Sequence, residues 1–397
     1  MKLTTGQTYW DKTAKPTSSF PSLEKNTSTD ILIVGGGMSG TLAAFKLASA
    51  GKKVTVIDRA EVGKGSSSAN TGLLQYASDT MLSEFVDKIG EDDAVLFYRM
   101  CLESMDELTK IASTLPETTG YRLRDSIFYA STPNDGDKLK REYSYLKKHD
   151  FPVEYLDHQK LVEEYGIDKP AALRTWHDAE VNPYQFIQAL TAENLKMGVT
   201  YFEHTAVDMD SLTENAIMSE SGAHISFDSI IIATGYSKLY SELNGKAQMN
   251  QTFAIATTPI DGELWKDQVM VWETKKPYLY FRTAPGGRMI AGGLDEESSD
   301  LYDDPSVIQR KGQEILDEIK EMFPHIDVEI EDAWNSLFGI SKDGLPFMGR
   351  SPHQDNVYYL LGFEGNGTCY SMAGATIIQD LLEGTPNPYA HIVRPSR

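Results

Sequence analysis

The chain has 397 residues, 41% hydrophobic and 24% charged, a length that sets a prior of two to three domain-sized units and a composition that can bury a sizeable core. Its formal charge of -21 argues against a nucleic-acid partner, which needs a basic surface, and against attraction to an anionic membrane face. Two cysteines, Cys101 and Cys369, stand far apart in no metal-type spacing, and no apolar run approaches the ~18 residues of a membrane span, so the expectation is a cytoplasmic protein with no metal site.

Residues 1–28 are polar, carry Pro16 and Pro21, and read as an irregular arm without a secretory signal. From Asp30 to Asp58 the pattern is strand, glycine turn, helix, strand, with Gly51 closing the helix. Residues 86–113 read as one helix with Ile89, Leu96, Met100 and Leu108 on its apolar side. A strand over 121–131 and a charged surface helix over 135–150 follow. "PYQFIQALTAENLKMGVTYFEHTAV" reads as a helix closed by Gly198 and then a strand, and "DSIIIATGY" as a buried strand entering a glycine turn. "KPYLYFRTAPGGRMIAGG" has the form of a β-hairpin turning at Pro285, Gly286 and Gly287. Asp304 and Pro305 start an amphipathic helix with Ile308, Ile315, Ile319 and Met322 on one face. The end of the chain reads strand, glycine loop, helix.

Gly35, Gly37 and Gly40 fit G-x-G-x-x-G, with Met38 and Ser39 between them. The first glycine permits the tight turn out of the strand, the second lets backbone approach a pyrophosphate, and the third lets helix and strand pack closely. The helix offers free N–H groups and its positive dipole end to phosphates. Asp58, 18 residues after Gly40 and followed by Arg59, can accept the hydroxyls of an adenosine ribose. The alternative for the glycines is a purely structural turn. An acid at this place disfavours the 2'-phosphate of NADP and leaves FAD and NAD open.

Three further segments favour FAD. In "GKGSSSANTGLL" the small residues Ser66, Ser67, Ser68, Asn70, Thr71, Gly72 and Leu73 can close over the pyrophosphate and the flavin edge. The strand ending in Ala233, Thr234 and Gly235 brings backbone to the nucleotide. Gly365, Asn366, Gly367 and Thr368 put N–H groups at a helix start, which can stabilise negative charge on a reduced flavin.

On these motifs the chain resembles the D-amino acid oxidase family of flavoenzymes, which includes glycine oxidase, sarcosine oxidase and gamma-glutamylputrescine oxidase. "YWDKTA" is similar to the leader of the last branch, and "SKDGLPFMGRSP" to the family stretch that passes under the isoalloxazine ring. The resemblance implies an α/β fold in which a Rossmann-type FAD-binding domain (29–90, 173–243 and 335–390) is interleaved with an α+β substrate domain (91–172 and 244–334) built on a mostly antiparallel sheet. It implies that Val207 contacts adenine through its backbone and that Gly339 and Gly344 lie by the flavin. It also implies hydride transfer from a small amine or amino acid to flavin N5, with dioxygen or another acceptor taking the electrons. Phe338 stands where glycine oxidase and D-amino acid oxidase carry a carboxylate-binding arginine. Ala69 stands where related dehydrogenases carry a flavin-linking histidine, so FAD is expected to be non-covalent. Tyr278, Tyr280 and Arg282 alternate along one strand and are expected to face the substrate, with Arg282 holding an anionic group. His177 falls in a segment expected near the cofactor, where a structural histidine is the blander reading. The rival functions are a flavoprotein dehydrogenase serving a protein or quinone partner and a non-catalytic flavin-binding protein.

Overall fold

The computed structural model describes all residues except 1, 17, 237–244, 263 and 363. Among the described residues the strands form two sheets. In the first, Thr27–Val34 runs parallel to His224–Ile232 on one side and to Val54–Ile57 on the other. Val357–Leu361 extends this parallel row beyond His224–Ile232. Ile31, Leu32, Ile33 and Val34 are all buried, as expected for a strand covered on both faces. The helices Met38–Ser49, Pro183–Lys196 and Gly367–Glu383 pack over one face of this sheet, where Leu42, Ala43, Ala44 and Leu47 have no exposed surface.

The second sheet is antiparallel apart from one pair, Arg122–Tyr129 with Met270–Glu273. The long strand Ala247–Thr257 lies in it between Ile330–Ser341 and Arg288–Glu297. The helix Pro305–Met322 covers one face, burying Ile308, Ile315 and Ile319, while Asp304 accepts the Ser306 N–H at 2.9 Å as its cap.

The structure departs from the sequence reading in three places. The arm is partly ordered: Thr4–Gly6 adds a strand beside Ile330–Ser341, and a helical turn at Trp10–Lys12 buries Trp10 completely. The helix expected over 86–113 is two, Leu82–Ile89 and Glu91–Ala112, because Gly90 adopts φ +85° and breaks the run. Sheet membership also crosses the expected domain limits. Ala171–Glu180 and Ile330–Ser341 pair within the antiparallel sheet, although 173–243 and 335–390 were assigned to the nucleotide side. The expected limit at 243/244 lies outside the described residues.

Candidate functional site

Three adjacent parallel strands end at the same edge of their sheet, and each is followed by a glycine-bearing segment. Val34 leads into Gly35–Gly37, Ile232 into Ala233–Gly235, and Leu361 into the loop before Gly367. The C-terminal edge of a parallel sheet is where open α/β folds bind ligands. Two cavities open there and share Met38, Ser39, Ser66, Ser67 and Gly235, forming one trench with two halves.

The first half is lined by Gly35, Gly37, Asp58, Arg59, Val207, Ala233 and Thr234. Gly35 has φ +112°, and a Cβ there would overlap the Ala233 carbonyl oxygen, so the turn requires glycine. Gly40 is held as tightly, since its Cβ would overlap the Gly35 carbonyl oxygen. The Asp58 carboxylate accepts the Gly36 N–H at 2.7 Å and the Ala60 N–H at 2.8 Å. Burial pushes its carboxyl up despite these bonds. It therefore braces the glycine turn as well as facing the trench, a role that spacing alone does not reveal. The N–H of Met38 donates to Ser67 Oγ at 3.0 Å, tying the helix start to the serine-rich loop.

The second half lies between that loop, the start of Gly367–Glu383 and the antiparallel sheet. Asn70, Thr71, Leu73, Gly365, Asn366, Gly367 and Thr368 line it as expected, together with Tyr278 and Tyr280. Residues not foreseen there are Gln75, Asp79, Tyr236, Thr252, Trp272 and Glu364. Phe338 also lines the wall. Ser68, Gly72, Gly339 and Gly344 sit behind it: Ser68 Oγ donates to the Gly65 carbonyl at 3.0 Å, and the Gly339 carbonyl accepts the Glu364 N–H at 2.8 Å. The Gly344 N–H donates to Ser341 Oγ at 3.0 Å.

The three residues expected to meet substrate separate. Tyr278 and Tyr280 face the cavity with ring centroids 5.7 Å apart, and burial pushes both phenols up, so they stay protonated donors. Arg282 does not line it. Its guanidinium is 1% exposed and donates to the carbonyls of Thr71 (2.8 Å), Thr283 (2.8 Å) and Val181 (2.7 Å), with Glu180 3.8 Å away. A buried cation needs satisfied donors, and these backbone acceptors take the ones a substrate anion would use. His177 stands at the surface with φ +72° and its ring 3.0 Å from Asp106.

The second half is acidic. Asp79 accepts the Gly365 N–H at 2.8 Å. Glu364, a non-glycine residue with φ +72°, accepts the Ser341 N–H at 2.5 Å and its hydroxyl at 2.9 Å. Burial, with Asp79 adding to it, pushes the Glu364 carboxyl up to about 7. Among the described residues lining this half, none is lysine or arginine.

A trench at the carboxyl edge of a parallel sheet, with two helix starts aimed at it and an aromatic wall from a second sheet, has the form of a dinucleotide-binding site. The model of the family described as FAD dependent oxidoreductase (DAO) matches residues 30–381, and the chain belongs to that family. It is 24% identical to gamma-glutamylputrescine oxidoreductase of Escherichia coli, over 95% of this chain and 88% of that one. It is also 24% identical to the putative Rieske 2Fe-2S iron-sulfur protein YhfW of Bacillus subtilis, over 98% of this chain and 75% of that one. The fold matches that of glycine oxidase from Geobacillus kaustophilus with a TM-score of 0.76, at 20% identity, covering 93% of this chain and 99% of that chain.

The protein is thus an FAD-dependent oxidoreductase, and the trench fits its cofactor. Ser66 Oγ and Gln75 Nε2, on its walls, are buried polar atoms without a protein partner, as a polar ligand would need. Among the described residues no helix is long and apolar enough to cross a membrane.

The purified protein is expected to be yellow, with about one FAD per chain. Ala69 offers no atom for a covalent link, so acid or heat should release the flavin into the supernatant. Flavin retained by the acid precipitate would contradict non-covalent attachment.

Proposed function

We propose that the protein oxidises the C–N bond of a small amine whose reacting end carries no free carboxylate. The observation that carries this reading is the wall of the substrate half: Phe338 with Asp79 and Glu364. An α-carboxylate is ordinarily recognised by a bidentate cationic clamp. Here two carboxylates would repel such a group and attract an ammonium ion.

FAD, when bound, would supply the hydride-accepting chemistry for the carbon beside the nitrogen, with dioxygen or another acceptor taking the electrons. The remaining roles belong to the chain. Glu364 is suited to take a proton from the substrate ammonium at a carboxylate oxygen, so that the amine reacts in its neutral form. Its elevated carboxyl lies near the operating pH, where such transfer is most effective. Tyr278 and Tyr280 offer hydroxyl donors. Trp272, stacked on Phe128 with centroids 3.8 Å apart, supplies a rigid apolar surface that excludes water. The imine product leaves and is hydrolysed by water. Two buried, unpaired thiols, Cys101 and Cys369, support a reducing cytoplasmic setting.

The pH dependence follows in sign. Glu364 is neutral below about 7 and anionic above it, while a simple alkylamine is cationic on both sides. The KM for such an amine should therefore rise as pH falls through about 7, and Glu364→Gln should flatten that limb. A wild-type limb that survives unchanged in Glu364→Gln would remove Glu364 from substrate binding. Hydrogen peroxide formation during turnover would identify dioxygen as the acceptor, whereas amine-driven flavin reduction without oxygen consumption would require another.

A further inference from the structure

The wall of the second half includes Ala69, Asn70 and Thr71, three consecutive residues whose carbonyls accept hydrogen bonds from inside the protein. Each is taken by a different buried side chain. Trp334 Nε1 donates to the Ala69 carbonyl at 3.0 Å, Trp10 Nε1 to the Asn70 carbonyl at 2.6 Å, and Arg282 Nε to the Thr71 carbonyl at 2.8 Å. The next carbonyl, of Gly72, accepts the Val181 N–H at 3.0 Å. The donors come from the N-terminal turn, the hairpin and the long strand Ile330–Ser341, so elements far apart in sequence meet on one short loop. They also pack on one another, with the Arg282 guanidinium 5.2 Å from the Trp10 ring centre. All three side chains are at most 1% exposed.

We propose that Trp10, Arg282 and Trp334 are positioning residues for FAD, acting through this loop. The chemistry is one of sign. A carbonyl oxygen left facing the trench would present negative dipole to a cofactor whose pyrophosphate is anionic and whose ring gains negative charge on reduction. Fixing three successive carbonyls on inward donors removes that repulsion. It also leaves the loop's small side chains, Ser67 and Thr71 among them, as the surface that meets the cofactor. Space enforces the arrangement, because a Cβ on Gly72 would overlap both the Val181 carbonyl and Arg282 Nη2. The N-terminal turn is on this account part of the cofactor site, although it lines neither half of the trench.

The inference rests on FAD being the cofactor, and titration of wild-type apoprotein with FAD checks that separately. Trp10→Phe keeps an aromatic ring and removes the N–H, and Arg282→Lys keeps the charge and removes the guanidinium with its three backbone bonds. Trp10→Phe should raise the FAD dissociation constant of the apoprotein about two- to tenfold, the range for losing one hydrogen bond to a neutral acceptor, and Arg282→Lys at least as much, because three bonds from a charged donor are lost. Trp265→Phe is the control: Trp265 is equally a buried indole, 4% exposed, and donates to the Val269 carbonyl at 2.7 Å outside this loop. It should lower the apoprotein's melting temperature and leave FAD affinity unchanged. If Arg282→Lys does not fold, Trp10→Phe and Trp334→Phe carry the test. Wild-type FAD affinity in both indole variants would overturn the inference, as would an equal loss in Trp265→Phe.

Discussion

Gly37→Val is expected to purify as a folded but colourless protein. Gly37 caps the helix Met38–Ser49 with φ -80° and ψ -164°, extended backbone that any residue adopts, so the substitution strains no dihedral angle. Its effect is spatial. A Cβ at this position would lie 2.8 Å from Ser67 Oγ, at the point where the two halves of the trench join. Ser67 would have to give up the Met38 N–H that it accepts, and the valine methyl groups would project into the space for the pyrophosphate. A loss of roughly a hundredfold or more in FAD affinity, about 2.7 kcal/mol, is the expected scale. Far-ultraviolet circular dichroism should match the wild type. Gly40→Ala gives the contrast: its Cβ overlaps the Gly35 carbonyl oxygen, so it should impair folding itself. Stoichiometric FAD in folded Gly37→Val would show that the pyrophosphate lies elsewhere.

Glycine and D-alanine are expected to be poor substrates, with kcat/KM far below that of an amine of similar size. Phe338, Asp79 and Glu364 line the half of the trench proposed to take the substrate. A charge-assisted hydrogen bond contributes about 1.5–3 kcal/mol, so the missing contacts correspond to roughly tenfold to a hundredfold each. Asp79→Asn with Glu364→Gln should narrow the preference by weakening the amine more than the amino acid. Efficient oxidation of glycine by the wild type would contradict this account of the pocket.

Much of the nucleotide half was legible because its constraints are local. The turn at Gly35, the close approach at Gly40 and the acid at Asp58 are all written within one strand–helix–strand unit. The serine-rich loop could be placed beside them because it follows Asp58 directly in the chain. Gly90 also carried its signal, but an apolar rhythm running through it concealed the break. The rest depends on contacts across the chain. Nothing local marks Thr4–Gly6 as a strand, since the strand it pairs with is more than 300 residues away. Alternation along the strand could not tell an open cavity, which Tyr278 and Tyr280 line, from the backbone carbonyls of a distant loop, which hold Arg282. Asp79 belongs to no motif and Glu364 only precedes the Gly365–Thr368 loop, so their meaning arises where the two segments meet.

The central claim, that this site takes a hydride from the carbon beside the nitrogen of an amine with no carboxylate at its reacting end, is tested most directly by anaerobic mixing. The yellow holoenzyme would be mixed in turn with simple alkylamines, diamines and α-amino acids while the visible flavin absorbance is followed. The account predicts that an amine without a carboxylate at its reacting end bleaches the flavin, while glycine at the same concentration leaves it oxidised for far longer. Rapid bleaching by glycine with none by any amine would contradict it.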